Sequence, residues 1–243
     1  MANFMLIHGA WHGGWCWHKL VAELSRRGHR ALAPDLPAHG HDATPRDRVT
    51  LDAYADSVIE HLNDFAGPVC LVGHSMGGMV ISAVGQRVPE RLERLVYLCA
   101  FVPADGMSLL SSDPTESGAQ AFAGKIRGGE DGASVMIDDA AVAALFYHDC
   151  TDEDVAFARA RLVPQPSAPL GAAVALTDAA FGSLAKSYIE CTADQAAPIA
   201  AQRAMYTRAG IDSVVSLSTS HSPFFSAPTL LADSLEALIG TPA

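Results

Sequence analysis

The sequence predicts an α/β fold: a mostly parallel sheet flanked by helices, with a small helical cap. Three observations predict it. Short apolar runs alternate with helical patterns from the first residues onward, the signature of a parallel sheet covered on both faces. One of these runs, Val69-Cys70-Leu71-Val72, leads through Gly73-His74-Ser75-Met76-Gly77 into the helix-like Gly78-Met79-Val80-Ile81. The alternation breaks once, from 102 to about 185, where helix-like pieces are punctuated by Ser111-Ser112-Asp113-Pro114 and Pro164-Gln165-Pro166 and no clean strand is visible.

Residues 4–7 are apolar, follow no basic segment and run straight into His8-Gly9, so they read as a first strand and not as a signal peptide. A helix is expected over 17–27, a strand over 30–33, a helix over 51–65, a strand over 69–72, a helix over 76–88 and a strand over 95–99. Beyond the interruption, strands over 187–191 and 213–217 alternate with helices over 198–209 and 228–239. A chain of 243 residues, 49% hydrophobic, buries one substantial core. The reading is therefore a single domain, with a core of about 1–101 and 186–243 and a cap insertion of about 102–185. An insertion at that point lies over the carboxyl ends of the strands, where open α/β sheets bind ligands.

No apolar run reaches bilayer length. The net charge of −11, without a basic cluster, argues against nucleic acid and against an anionic membrane surface. Segment 102–185 holds twelve acidic and four basic side chains, a solvated acidic surface whose field would also disfavour anionic substrates. The five cysteines, Cys16, Cys70, Cys99, Cys150 and Cys191, form no C-x-x-C pair and read as free thiols in a reducing compartment. A cytoplasmic protein is expected.

A strand, a tight turn carrying one serine, and then a helix make a nucleophile elbow, which nominates Ser75. Glycines two residues before and after it leave room for a turn too tight for side chains. Serine at its ordinary pKa is a poor nucleophile, so it needs a histidine in hydrogen-bond reach and a carboxylate to hold that histidine's tautomer. Elbows of this kind are followed along the chain by the acid and then the histidine. Only His148 and His221 lie well downstream of Ser75. His221 sits in Ser218-Thr219-Ser220-His221-Ser222-Pro223, just past a strand, and is preferred; His148 falls within the cap. Asp194, 27 residues ahead of His221, is preferred as the acid, with Asp105 as its competitor. The backbone N–H groups of Met76 and Ala10 would form an oxyanion hole, with Gly9 allowing close approach of that backbone. Candidate pocket walls are Gly9, Trp11, Phe101, Phe122, Leu145, Phe146, Tyr147 and Phe224, the aromatic and aliphatic ones being equally good core residues. His8, His12 and His18 straddle a strand end, a Gly-Gly turn and a helix start, which is no metal-ligand spacing.

His8-Gly9-Ala10-Trp11-His12-Gly13-Gly14-Trp15, Asp35-Leu36-Pro37-Ala38-His39-Gly40, Gly73-His74-Ser75-Met76-Gly77-Gly78, Cys191-Thr192-Ala193-Asp194 and His221-Ser222-Pro223 together resemble the α/β-hydrolase family. Within it the chain is similar to the branch of plant methyl esterases, hydroxynitrile lyases and bacterial esterases. The resemblance covers nearly the whole chain. It implies a Ser75, Asp194, His221 triad, an oxyanion hole from Ala10 and Met76, a small-molecule ester as substrate, no cofactor, no metal, and often a homodimer. Hydroxynitrile lyases of this branch carry threonine in place of Gly9 and lysine in place of Ser222, so the resemblance points to hydrolysis of small or short-chain esters, aromatic and methyl esters included, through an acyl-enzyme. A lyase or other tailoring enzyme on the same triad, and a non-catalytic ligand receptor on the same fold, are the alternatives.

Overall fold

The structure, a computed structural model, describes residues 1–113, 115 and 118–240. The chain begins with β1 (Asn3–Ile7), α1 (His18–Arg26), β2 (Arg30–Leu32), α2 (Leu51–His61), β3 (Val69–His74), α3 (Gly77–Arg87) and β4 (Leu92–Leu98). The insertion carries β5 (Ile126–Gly128), β6 (Ser134–Ile137), α4 (Asp139–Phe146), α5 (Asp152–Arg159), β7 (Gln165–Pro166) and α6 (Ala168–Gly171). The core resumes with β8 (Lys186–Cys191), α7 (Ile199–Arg208), β9 (Val214–Leu217), α8 (Pro223–Ser226) and α9 (Pro228–Ile239).

The six core strands form one sheet in the order β2-β1-β3-β4-β8-β9, with every pairing parallel. Helices cover both faces, so all six residues of β3 are buried and its sequence has no polar alternation to show. The chain runs outward from β1 to β2 and then returns to the other side of β1 as β3. The strand order therefore reverses between β1 and β3, and the crevice at their carboxyl ends is where such a sheet binds ligands. Ile7 lies opposite Gly73 in this register. The loops carrying His8-Gly9-Ala10 and Ser75 thus emerge side by side.

The insertion corrects one expectation. It is helical in part, but it also holds a three-stranded antiparallel sheet, β5-β6-β7. These strands are three, four and two residues long, too short for alternation to be read, and β5 is exposed throughout. The cap is fastened to the core by buried polar contacts. Gln165 of β7 hydrogen-bonds His39 (3.1 Å) and the Tyr54 hydroxyl (3.1 Å), and the Trp11 indole donates to the Val135 carbonyl (3.0 Å). Among the described residues, no helix is long and apolar enough to cross a membrane.

Candidate active site

Ser75 follows β3 directly and holds a left-handed backbone, φ +55°. A non-glycine residue there costs roughly 1–3 kcal/mol and persists only where its surroundings dictate it. Here Ser75 N–H donates to the Leu98 carbonyl (3.3 Å), while its own carbonyl accepts from Gly78 (3.1 Å) and Phe101 (3.1 Å). The flanking glycines are forced by contact: a Cβ on Gly77 would lie 2.8 Å from the Ile7 carbonyl oxygen, and one on Gly78 would lie 2.0 Å from that of Phe101. Such a small-residue face lets α3 press its N-terminus against the ends of β1 and β4.

His221 lies in the loop between β9 and α8, and Asp194 in the loop after β8. Their side chains meet: Asp194 Oδ2 accepts from His221 Nδ1 at 2.6 Å, with both side chains 2% exposed or less. The other carboxylate oxygen of Asp194 accepts the N–H groups of Ala196 (2.7 Å) and Ala197 (2.9 Å), which fixes the carboxylate plane. The His221 carbonyl accepts from His74 Nε2 (2.8 Å) and lies 3.5 Å from the Cys99 thiol, so the loop is tied to the residue preceding Ser75 and to the end of β4. From the cap, Asp149 and the Phe146 carbonyl hold Ser220. The Ser75 hydroxyl makes no hydrogen bond among the described residues and lies on the cavity wall. A contact between nucleophile and base commonly tightens only once substrate is bound. Asp105 is exposed and caps the Leu176 N–H (2.8 Å), and exposed His148 bonds the Ala193 carbonyl (2.9 Å); neither pairs with His221.

Gly9 passes directly under the serine: a Cβ on it would come within 2.8 Å of Ser75 Cβ and 3.0 Å of His74 Nδ1. Ala10 and Met76 both line the cavity, and their N–H groups donate to no protein acceptor among the described residues. The cavity encloses about 270 Å³. Of the expected walls, Trp11, Phe101 and Phe122 line it. Gly9 lies beneath Ser75, and the other four stand elsewhere, which corrects that part of the sequence reading. Phe224 packs behind the site on Trp17 and His74, Phe146 lies between Trp11 and His221, Tyr147 bonds His12, and Leu145 faces a separate surface groove. The sequence missed Cys99, Leu109, Leu110, Ala119, Ala123, Ile126, Leu170, Ala196, Ala197 and Met205. Ala196 and Ala197 had a signal, since they lie two and three residues after Asp194; the cap residues had none. No charged side chain lines the cavity, and the polar side-chain groups of its lining residues are the Ser75 hydroxyl, the Cys99 thiol and the Trp11 indole, whose N–H is taken by the Val135 carbonyl.

The surrounding histidines are neutral. Burial pulls His12 down to about 4 and carries His8 and His74 well below the usual imidazole range, assisted by His39 at His8 and by His221 at His74. The unfolded chain takes up protons on these rings as the pH falls through about 6.5, whereas the folded rings stay neutral, so stability falls with falling pH. Lowering the pH from 7.5 to 5.5 should therefore cost stability, by about 1 kcal/mol per ring. Urea unfolding at the two pH values measures this, and an unchanged midpoint would contradict neutral burial. As for metals, His74, Cys99 and His221 bring donor atoms within 4.8 Å of one another. His221 is bound to Asp194 through Nδ1 and His74 to a carbonyl through Nε2, which leaves His221 Nε2 and the unpaired His74 Nδ1 as the imidazole nitrogens facing any ion there.

Ser75 on its strained strand-to-helix turn and the unpaired Ala10 and Met76 N–H groups thus meet at one cavity, with the buried His221-Asp194 pair in two further loops. The chain is 46% identical to the carbendazim hydrolyzing esterase of Nocardioides sp. over 120 residues, 47% of this chain and 48% of the relative, so that match spans about half the relative's length. It is 29% identical to methylesterase 7 of Arabidopsis thaliana, over 93% of this chain and 92% of the relative. The solved structure of a pyrethroid hydrolase from Sphingobium faniae superposes with a TM-score of 0.86 at 28% identity, covering 99% of this chain and 98% of the other. A family model described as the alpha/beta hydrolase family matches residues 4–234, and with the fold and the elbow this shows that the chain belongs to the alpha/beta hydrolase family.

Proposed function

We propose that the protein is a serine carboxylic ester hydrolase that needs no cofactor. The observation that carries the reading is the buried 2.6 Å bond from His221 Nδ1 to Asp194, which leaves His221 Nε2 as the basic nitrogen for the half-buried, strained Ser75. His221 takes the Ser75 proton as Ser75 attacks the ester carbonyl, forming a tetrahedral intermediate whose oxyanion is met by the N–H groups of Ala10 and Met76. The protonated His221, stabilised by Asp194, then gives its proton to the leaving alkoxide, and the same residues use water to release the acyl group as a carboxylic acid. The small, uncharged cavity favours neutral short-chain, methyl or aromatic esters. Similarity to an esterase, a methylesterase and a pyrethroid hydrolase supports ester chemistry.

The lyase reading is disfavoured by contact: a side chain at Gly9 would meet Ser75 Cβ at 2.8 Å, and Ser222 offers no cation for a departing cyanide. Turnover of p-nitrophenyl esters, with labelling of Ser75 by an organophosphonate, tests the proposal. Neutral esters should be hydrolysed with kcat/KM at least about 100-fold above analogues carrying a carboxylate on the acyl chain, because an unpaired buried charge costs several kcal/mol. Release of a ketone or aldehyde without an acyl-enzyme would favour the lyase, and tight ligand binding without turnover the receptor.

A further inference from the structure

We infer that His12 and Tyr147 are positioning residues for the oxyanion-binding loop: a hydroxyl in the cap, acting through a buried imidazole, fixes the peptide that follows the Ala10 N–H. The inference rests on the hydrolase reading above and adds residues that reading does not use.

The His12 ring turns back on its own loop and meets the Ala10 carbonyl through Nδ1 at 2.7 Å. Its Nε2 meets the Tyr147 hydroxyl at the end of α4. Both residues are 1% exposed. A carbonyl can only accept, so Nδ1 carries the hydrogen. On a neutral ring Nε2 then has only a lone pair, and Tyr147 must donate to it. The chain Tyr147 O–H to Nε2, then Nδ1–H to the Ala10 carbonyl, has one direction and no alternative tautomer.

The loop needs such a restraint. Trp11, the next residue, stands at φ +65°, a region costly for a bulky side chain. Its carbonyl is held by the Val163 N–H (2.9 Å) and its indole by the Val135 carbonyl (3.0 Å), both from the insertion. The Ala10 carbonyl is held from the same side, through His12. An oxyanion donor must lie about 2.7–3.1 Å from where the charge develops, so a tilt of this loop weakens the transition state more than the substrate complex. Three contacts therefore make the cap part of the catalytic geometry and not only a cover.

Tyr147→Phe removes one oxygen and keeps the ring, while His12→Asn keeps a nitrogen near the Nδ1 position and loses Nε2. Two inhibitors separate positioning from packing: a trifluoromethyl ketone, which forms an anionic adduct with a serine, and the matching alcohol, which only fills the cavity. For Tyr147→Phe we expect kcat to fall about 10- to 100-fold on p-nitrophenyl butyrate with KM within about twofold, ketone affinity to weaken by the same factor, and alcohol affinity to stay unchanged. His12→Phe should lose more, and His12→Asn should recover part of that loss. Wild-type kcat and ketone affinity in a folded Tyr147→Phe would overturn the inference, as would equal weakening of ketone and alcohol. If the His12 variants do not fold, Tyr147→Phe decides alone. A wild-type protein that hydrolyses no ester would refute the hydrolase reading and this inference with it, an outcome distinct from turnover that the variants leave unaffected.

Discussion

Ser75→Ala is expected to lower kcat for a p-nitrophenyl ester by about 10⁵- to 10⁶-fold, with KM and the unfolding midpoint little changed. The size follows from the division of labour. On the proposed mechanism, losing the hydroxyl abolishes the acyl-enzyme, while the Ala10 and Met76 N–H groups and the apolar cavity remain; serine deletions that spare such groups cost about 10⁶ in kcat. Stability should hardly move, because the Ser75 hydroxyl makes no hydrogen bond among the described residues and alanine inherits the same left-handed backbone, φ +55°. Steady-state kinetics on protein purified free of contaminating esterase measures it. A variant that keeps turnover within tenfold of wild type would remove Ser75 from the chemistry.

Asp194→Asn should cost about 10⁴ in kcat at neutral pH while the fold survives. The carboxylate takes His221 Nδ1–H on Oδ2 and the N–H groups of Ala196 and Ala197 on Oδ1. In the asparagine variant the amide oxygen keeps the two backbone donors, so the amide nitrogen must face His221. An N–H pointed at Nδ1 selects the opposite tautomer and leaves the hydrogen on Nε2, which then cannot accept the Ser75 proton. Asp105→Asn serves as the contrast, with near-wild-type kcat, since that side chain only caps the Leu176 N–H. Equal kinetics for the two variants would reassign the acid.

Much of the site was legible because its local chemistry leaves marks in the chain. Gly73 is required where the elbow folds back onto α3, and Gly77 and Gly78 where α3 touches the chain at the ends of β1 and β4, so the elbow announces itself whatever the rest of the molecule does. The apolar runs that became β1, β3, β4 and β8 are largely buried on both faces, and such runs stand out by hydrophobicity alone. The insertion was less legible. Its two- to four-residue strands lack periodicity, and Leu109, Ile126 and Leu170 gain their place on the cavity wall only through folding of distant segments. Tyr147 shows the same limit: its ring was expected at the cavity, but its hydroxyl is claimed by His12, 135 residues earlier in the chain.

The sequence by itself determined the parallel sheet and the strand-turn-helix elbow at Ser75, because these depend on backbone sterics and on burial along short stretches. Only the tertiary structure decided which carboxylate meets His221, which side chains enclose the cavity, and how the cap grips the loop bearing Ala10. Those are contacts between residues tens to more than a hundred positions apart, and they are set by how the sheet twists and the insertion folds back, which no local pattern of side chains records.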